Sequence, residues 1–213
     1  QENELLRNKL KGSFDSHTNG YQYGDVCISD LELLNNLAAE IMSLETEDKI
    51  YDFVGEQLRQ RFQDCVVIIN RNNPEDRTMT IHGLYAPEKL FIGKALRILG
   101  YSPKGKTYQM HTDAERIFQT GRLTNYPGGL PALARGYVNE HITAKLVKML
   151  NLDQVYLVGL VRNETLFAGV QLYTLKDGTP LNKRFLETFL KYVSIVLQRK
   201  YFERMSVEAE KKF

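Results

Sequence analysis

The eight residues Gly100-Tyr101-Ser102-Pro103-Lys104-Gly105-Lys106-Thr107 have the spacing of a phosphate-binding loop. That chemistry curls backbone amides round phosphates, puts the lysine on the γ-phosphate and the threonine on magnesium. It needs a strand before the loop and a helix directly after it. Here the preceding segment reads as helix and 107–110 reads as strand. No apolar strand ends in an Asp that would hold the metal. A helix-to-strand turn is the expected role, with P-loop nucleotide binding as its rival.

Thiol and imidazole chemistry have little material. Cys27 and Cys65 are the two cysteines. A thiolate nucleophile needs a lowered pKa from a neighbouring cation or helix N-terminus. Nothing near Cys65 in sequence supplies one, so core packing is expected there, whereas Cys27 lies in a polar stretch. Glu140-His141 lacks the second histidine of a zinc helix, and no G-x-S-x-G elbow exists. His17 is expected to be solvated. No Cys/His cluster has metal spacing. Six glycines and prolines fall in the sixteen positions 121–136: Gly121, Pro127, Gly128, Gly129, Pro131 and Gly136. They mark a long irregular segment, and such loops are often functional.

The elements that position these residues follow from periodicity. Residues 1–11 look like the end of a polar helix. Residues 12–29 are rich in Gly, Ser, Asn and Tyr, which predicts a linker. Ser29-Asp30 caps a helix with Leu31, Leu34, Leu37, Ala38, Ile41 and Met42 at helical spacing. Thr46 opens a second helix with Ile50, Phe53, Val54, Leu58 and Phe62 on one stripe. The period then changes. Residues 65–69 form a short, β-branched apolar run, a buried strand. A turn cluster at 71–76 and a strand at 78–85 complete a hairpin. A helix is predicted from Pro87 to about residue 99, ended by Gly100. A strand over 107–110, a short helix over 112–118 and a helix over 139–150 follow. The strands 155–161 and 166–174 pair across a tight turn at 162–164. The order is α-α-β-β-α-β-α-loop-α-β-β-α, which predicts one antiparallel sheet with helices on its faces.

The last helix runs for about thirty residues from Asn182 without Gly or Pro. Its first half carries Phe185, Leu186, Phe189, Leu190, Val193, Val196 and Leu197. That stripe is wide enough to pack on a sheet and leave a seam for a second copy. Phe189, Val193, Val196 and Leu197 are the expected dimer and signalling positions. The second half, from Gln198, is mostly charged, with Phe202 and Met205 remaining.

The whole order resembles the GAF domain, a ligand-sensing fold. Two blocks carry the resemblance. One is the helix pair leading into Cys65-Val66-Val67-Ile68-Ile69. The other is Phe167-Ala168-Gly169-Val170-Gln171-Leu172 followed by a loop and Phe185-Leu186-Glu187-Thr188-Phe189. The first block runs from Leu33 to Asn70 and the second from Val155 to Leu197, and the similarity as a whole spans roughly residues 30–200. Glu208-Ala209-Glu210-Lys211-Lys212-Phe213 looks like a linker that introduces a PAS domain in multi-sensor histidine kinases, and residues 1–10 resemble one that leaves such a domain. The resemblance therefore implies one sensor of a PAS/GAF array of the archaeal histidine-kinase type, in a two-component system. It divides the chain into a linker (1–29), an α+β sensor domain with a five- or six-stranded antiparallel sheet (30–200) and a connector helix (201–213). The kinase's phosphoacceptor-His helix and ATP-site motifs are absent from the sequence, so this fragment is expected to be non-catalytic.

In GAF-like folds the ligand lies between the sheet and the segment covering it. That implies a site of Tyr108, Met110, Phe118, Tyr126, Leu133, Tyr156 and Gln171, with an ordinary filled core as the alternative. Some relatives attach tetrapyrroles through Cys or ligate haem through His. His82, His111 and His141 are then the candidate axial ligands, and the cofactor stays open between none and haem. The fold's methionine-sulfoxide reductase activity needs clustered cysteines, which this sequence lacks.

The composition excludes other classes. The chain is 43% hydrophobic and 25% charged, enough to bury a core, and its net charge of +2 is no nucleic-acid footprint. No run approaches the ~20 apolar residues of a membrane span. Two isolated cysteines suit a reducing, cytoplasmic compartment. The chain starts at Gln1 and stops in a helical pattern, so a longer parent is expected on both sides. The expected partners are a second copy through the terminal helices, neighbouring PAS or kinase domains, and a small-molecule ligand.

Overall fold

A computed structural model describes residues 28–73, 76–90 and 92–210. Cys27, His17, the rest of residues 1–27 and residues 211–213 lie outside them; residues 28–29 of the expected linker and 201–210 of the expected connector are helical. Helices α1 (Ile28–Ser43) and α2 (Glu47–Arg61) come first. The Lys49 amide donates to Thr46 Oγ1 at 3.3 Å, a side-chain cap at the predicted start of α2. Strands β1 (Cys65–Asn73) and β2 (Thr78–Tyr85) form the first hairpin. Then come α3 (Ile92–Leu99), β3 (Thr107–Gln109), α4 (Thr112–Gln119), β4 (Thr124–Asn125), α5 (Gly129–Leu133) and α6 (Glu140–Met149). Strands β5 (Leu152–Arg162) and β6 (Thr165–Leu175) precede the 28-residue helix α7 (Lys183–Glu210).

The six strands form one sheet in the order β3-β2-β1-β6-β5-β4. Every ladder is antiparallel. The turn between β5 and β6 holds Asn163 and Glu164 at φ +47° and +64°. Positive φ at both central residues is the hairpin turn whose twist matches the strands. Three expectations shift. The helix predicted from Pro87 starts at Ile92, because 87–90 closes first as a turn with the Leu90 amide on Pro87 O at 3.0 Å. Strand β1 continues past Ile69 through a bulge at Ile69/Asn70. The irregular segment 121–136 contains a short edge strand, β4, and one helical turn, α5, entered through Gly128 and Gly129 at φ +80° and +60°.

Strand alternation gives the sheet two faces. On one, Cys65, Val67, Ile69, Val158, Leu160, Val170 and Leu172 pack against α1, α2 and α7. On the other, Val66, Met79, Val155, Leu157 and Tyr173 lie under the cover built by α3 to α6. Gly159 and Gly169 are directly paired across β5 and β6. Phe118 of α4 sits on this pair, and a Cβ at Gly169 would meet its ring at 2.8 Å. The glycines let α4 approach the strands closely.

Helix α1 runs parallel to α7. Asn182 Nδ2 donates to Asp30 Oδ2 at 3.1 Å near the N-termini of both helices. Farther along, Arg204 of α7 pairs with Glu47, the first residue of α2, at 3.0 Å. Tyr201 meets Phe167 edge-on at 5.8 Å. Contacts between α7 and the domain body therefore continue to residue 204. Asp64 ties three segments together. It accepts from the Thr179 amide (3.0 Å), from Thr179 Oγ1 (2.9 Å) and from Lys89 Nζ.

A candidate ligand cavity under the helical cover

The cover does not fill the face it lies on. A cavity of about 580 Å³ separates α3, α5 and α6 from strands β1, β2, β3 and β6. Leucines supply much of the roof: Leu96 and Leu99 from α3, Leu133 from α5, Leu146 and Leu150 at α6. Val66, Ile68, Ile81 and Leu84 floor it. The size and the apolar walls suit a small organic molecule.

A chain of four polar side chains runs along the floor, and three of them, Tyr108, Gln171 and Tyr173, line the cavity. Tyr173 OH donates to Gln171 Oε1 at 2.5 Å, and Gln171 Nε2 donates to Tyr108 OH at 2.9 Å. Tyr108 OH donates to Asn70 Oδ1 at 3.1 Å, and Asn70 Nδ2 reaches Gly169 O at 3.4 Å. Three strands, β1, β3 and β6, bring these groups to one point. Burial pushes both tyrosine pKa values upward, so both phenols stay protonated as donors.

The mouth is closed on one side by residues 134–138. Tyr137 OH donates to the Gln109 carbonyl of β3, and its ring meets Tyr108 at 5.6 Å and His111 at 5.1 Å. His111 Nε2 lies 3.0 Å from Arg135 O. Gly136, at φ +83°, makes the bend that this clasp needs. Lys106 and Tyr101 stand at the other rim, with Lys106 Nζ 5.4 Å from the Tyr101 ring centroid.

No family model matches the sequence, and no curated protein matches it in sequence. Solved structures match in shape. The chromophore-binding domain of Stigmatella aurantiaca bacteriophytochrome aligns with a TM-score of 0.58 at 10% identity, over 84% of this chain and 63% of that one. A phycocyanobilin-bound GAF domain from a cyanobacterial phytochrome aligns at 0.55 and 15% identity, over 84% and 98%. The GAF domain of Acinetobacter phosphoenolpyruvate-protein phosphotransferase aligns at 0.54 and 12% identity, over 83% and 96%. The chain has the GAF fold. It spans less than two thirds of the bacteriophytochrome domain's length.

Within this GAF fold the expected site residues separate. Tyr108, Leu133 and Gln171 line the cavity. Phe118 and Tyr126 are buried in the same layer as packing residues, and Met110 is half-buried against it. Tyr156 belongs to the opposite face. Its neighbours Val155 and Leu157 point to the cover, so alternation sends Tyr156 to the α7 side, where its OH donates to Gln154 Oε1 at 2.6 Å. The proposed dimer positions are also corrected. Phe189, Val193, Val196 and Leu197 are at most 4% exposed, because they fill the core between α7 and the sheet. The exposed apolar residues of α7 are Ile195, Phe202, Met205 and Val207.

The candidate histidines do not line the cavity. His82 is on the far face, with Nε2 2.9 Å from Asp52 Oδ1. His141 is exposed in the first turn of α6, and His111 clasps the rim from outside. None of the three expected axial histidines is therefore among the residues that line the cavity. Cys65 faces the α7 core, where burial raises its thiol to about 12. The Gly100–Thr107 loop leaves a helix and enters a strand, the reverse of a phosphate loop. Sequence reading missed Tyr173 and the α3 roof. Tyr173 was legible, since it stands two residues from Gln171 on the same strand and so shares its face.

Proposed function

We propose that this chain is a small-molecule-sensing module whose ligand occupies the 580 Å³ cavity and whose output is α7. The carrying observation is the placement of the two on opposite faces of one strand. In β6, Gln171 and Tyr173 face the cavity, while Val170 and Leu172 pack into the core with Phe189 and Val193. A ligand that moves β6 by a fraction of an ångström changes the seat of α7. Occupancy then biases the helix only as far as the ligand prefers one seating over the other. The role is binding rather than catalysis. Apart from Lys106, the lining holds no charged residue, and no His or Cys.

The output surface is a second copy of the same helix. Thr188, Lys191, Ile195, Gln198, Phe202, Met205 and Ala209 follow the alternating three- and four-residue spacing of a two-stranded seam. Ile195, Phe202 and Met205 are exposed, as are Leu31 and Met42 on the neighbouring α1. The module belongs, in this reading, to a cytoplasmic histidine kinase with adjoining PAS domains, as the linker resemblance suggests. Among the described residues no helix is long and apolar enough to cross a membrane. Phe202→Glu is the test: it should abolish the dimer in analytical ultracentrifugation while leaving the monomer's melting unchanged. A dimer of undiminished affinity removes α7 as the output.

A second reading is tetrapyrrole binding, favoured by the shape match to two phytochrome domains and by the cavity's size. The chain would have to hold it without a histidine or cysteine from the lining. A visible absorption spectrum after mixing with a linear tetrapyrrole decides: no shift of the pigment band ends this reading.

A further inference from the structure

The lining narrows the chemistry of the ligand. Among the described residues Lys106 is the one charged side chain that borders the cavity. It pairs with no carboxylate among them, and its Nζ lies over the Tyr101 ring at 5.4 Å. A cation at the rim of an apolar hollow, without a protein anion, is a place for a ligand's anion.

The deep end is polar but uncharged. Gln171 and Tyr173 are each 5% exposed, and Asn70 is fully buried. The direction of the hydrogen-bond chain fixes what they offer. Tyr173 uses its proton on Gln171 Oε1, and Tyr108 uses its own on Asn70 Oδ1. Gln171 Nε2 spends one hydrogen on Tyr108 and keeps the other. What remains on the lining is one amide hydrogen of Gln171 and free lone pairs on the Tyr173 and Tyr108 oxygens. That set complements a hydroxyl or a carbonyl. A charged group there would be desolvated without a counter-ion, which costs far more than a neutral one. Between the two ends the walls are hydrocarbon: Ile81, Leu96, Leu99, Leu133, Val138 and Leu146.

We propose that the cavity takes a molecule polar at both ends: a carboxylate held by Lys106 at the mouth, a hydroxyl or carbonyl held by Gln171 and Tyr173 at the floor, and an apolar skeleton between. This rests on the reading of the cavity as the ligand site. The anion cannot trade places with the neutral group, so the ligand enters neutral end first.

Titration calorimetry on the full chain with 12-hydroxydodecanoate, dodecanoate and 1,12-dodecanediol tests it, with the uncharged dye N-phenyl-1-naphthylamine as a probe of the cavity alone. The hydroxy acid should bind tightest, and loss of either polar end should cost about fivefold to tenfold. Lys106→Met, an exposed position that does not endanger folding, should remove the preference for hydroxy acid over diol and leave the diol and the dye unchanged. Tyr173→Phe should remove the preference for hydroxy acid over dodecanoate. If diol and hydroxy acid bind equally and Lys106→Met is silent, the carboxylate assignment falls. If dodecanoate matches the hydroxy acid, the neutral-end assignment falls. If the dye binds and none of the three chains does, the ligand class is wrong and the cavity stands. If the dye does not bind either, the cavity reading fails with it.

Discussion

The two faces of the sheet are built to different standards. The face under α1, α2 and α7 is filled. Phe185, Leu186, Phe189, Leu190 and Val193 of α7 are each at most 2% exposed and interlock with Val67, Ile69, Val170 and Leu172. The face under α3 to α6 is hollow at its centre, and the roof leucines Leu96 and Leu99 are only half-buried. A side chain with neighbours all round gains dispersion contacts on every side; one that borders a void gains them on one side only. The filled face therefore supplies stability and holds α7, and the hollow face is free to be specified by what enters it. The cavity and α7 lie on opposite sides of one strand, β6.

Four variants would break or sharpen this contrast. The largest effect is expected from Phe189→Ala, which removes a ring from the filled face and should cost about 3–5 kcal/mol in chemical denaturation. Its counterpart Leu96→Ala on the hollow face should cost less than about 2 kcal/mol, the lower end for packed leucines. Equal losses would mean that the cavity side is packed as tightly as the other.

A smaller effect follows from filling the hollow. Ala95 is buried in α3 and points into the cavity. Ala95→Leu should weaken N-phenyl-1-naphthylamine binding at least about tenfold, with the melting temperature held or raised, because the added carbons meet space rather than a wall. A lowered melting temperature with unchanged dye binding would place the free volume elsewhere.

The smallest effect concerns Asp64, which fastens the start of the filled face to the cover. Hydrogen bonds from Lys89 and from the Thr179 amide and hydroxyl lower its pKa from 3.8 to about 2. A carboxyl with a depressed folded-state pKa contributes stability above its unfolded value, and that contribution is lost as pH falls through the folded value. Asp64→Asn should thus be mildly destabilising at neutral pH, and its deficit should shrink between pH 4 and pH 2. A deficit that does not change over that window would show that the ionised form is not what the two segments hold.

Much of the architecture was legible without coordinates. The change from a 3.6-residue to a 2-residue period located five of the six strands, and the Gly- and Pro-rich segment 121–136 marked the region that completes the cavity's cover. Strand β4, two residues long, left no periodic signal. The cavity residues were half legible. Of the expected residues Tyr108, Leu133 and Gln171 line the cavity, and Tyr173 follows from Gln171 by alternation. Tyr156 went to the wrong face because alternation says which residues share a side and not which side meets the cover. The seam on α7 failed for a related reason. Both stripes of that helix are apolar, and the stronger one, with Phe189, Val193, Val196 and Leu197, was claimed by the sheet.

The sequence by itself determined the α+β class, the antiparallel hairpins and the long terminal helix. These follow from short-range spacing and from turn residues, which act over a few positions. Only the tertiary structure decided that the GAF fold holds a cavity, that Lys106 stands at its mouth, and that Tyr108, Gln171 and Tyr173 meet in its lining with Asn70 bonded behind them. Those residues come from distant parts of the chain, Asn70 from β1 and Tyr173 from β6. Their meeting is set by strand order and register, and a void is a property of how the cover fails to reach the sheet, which no local pattern encodes.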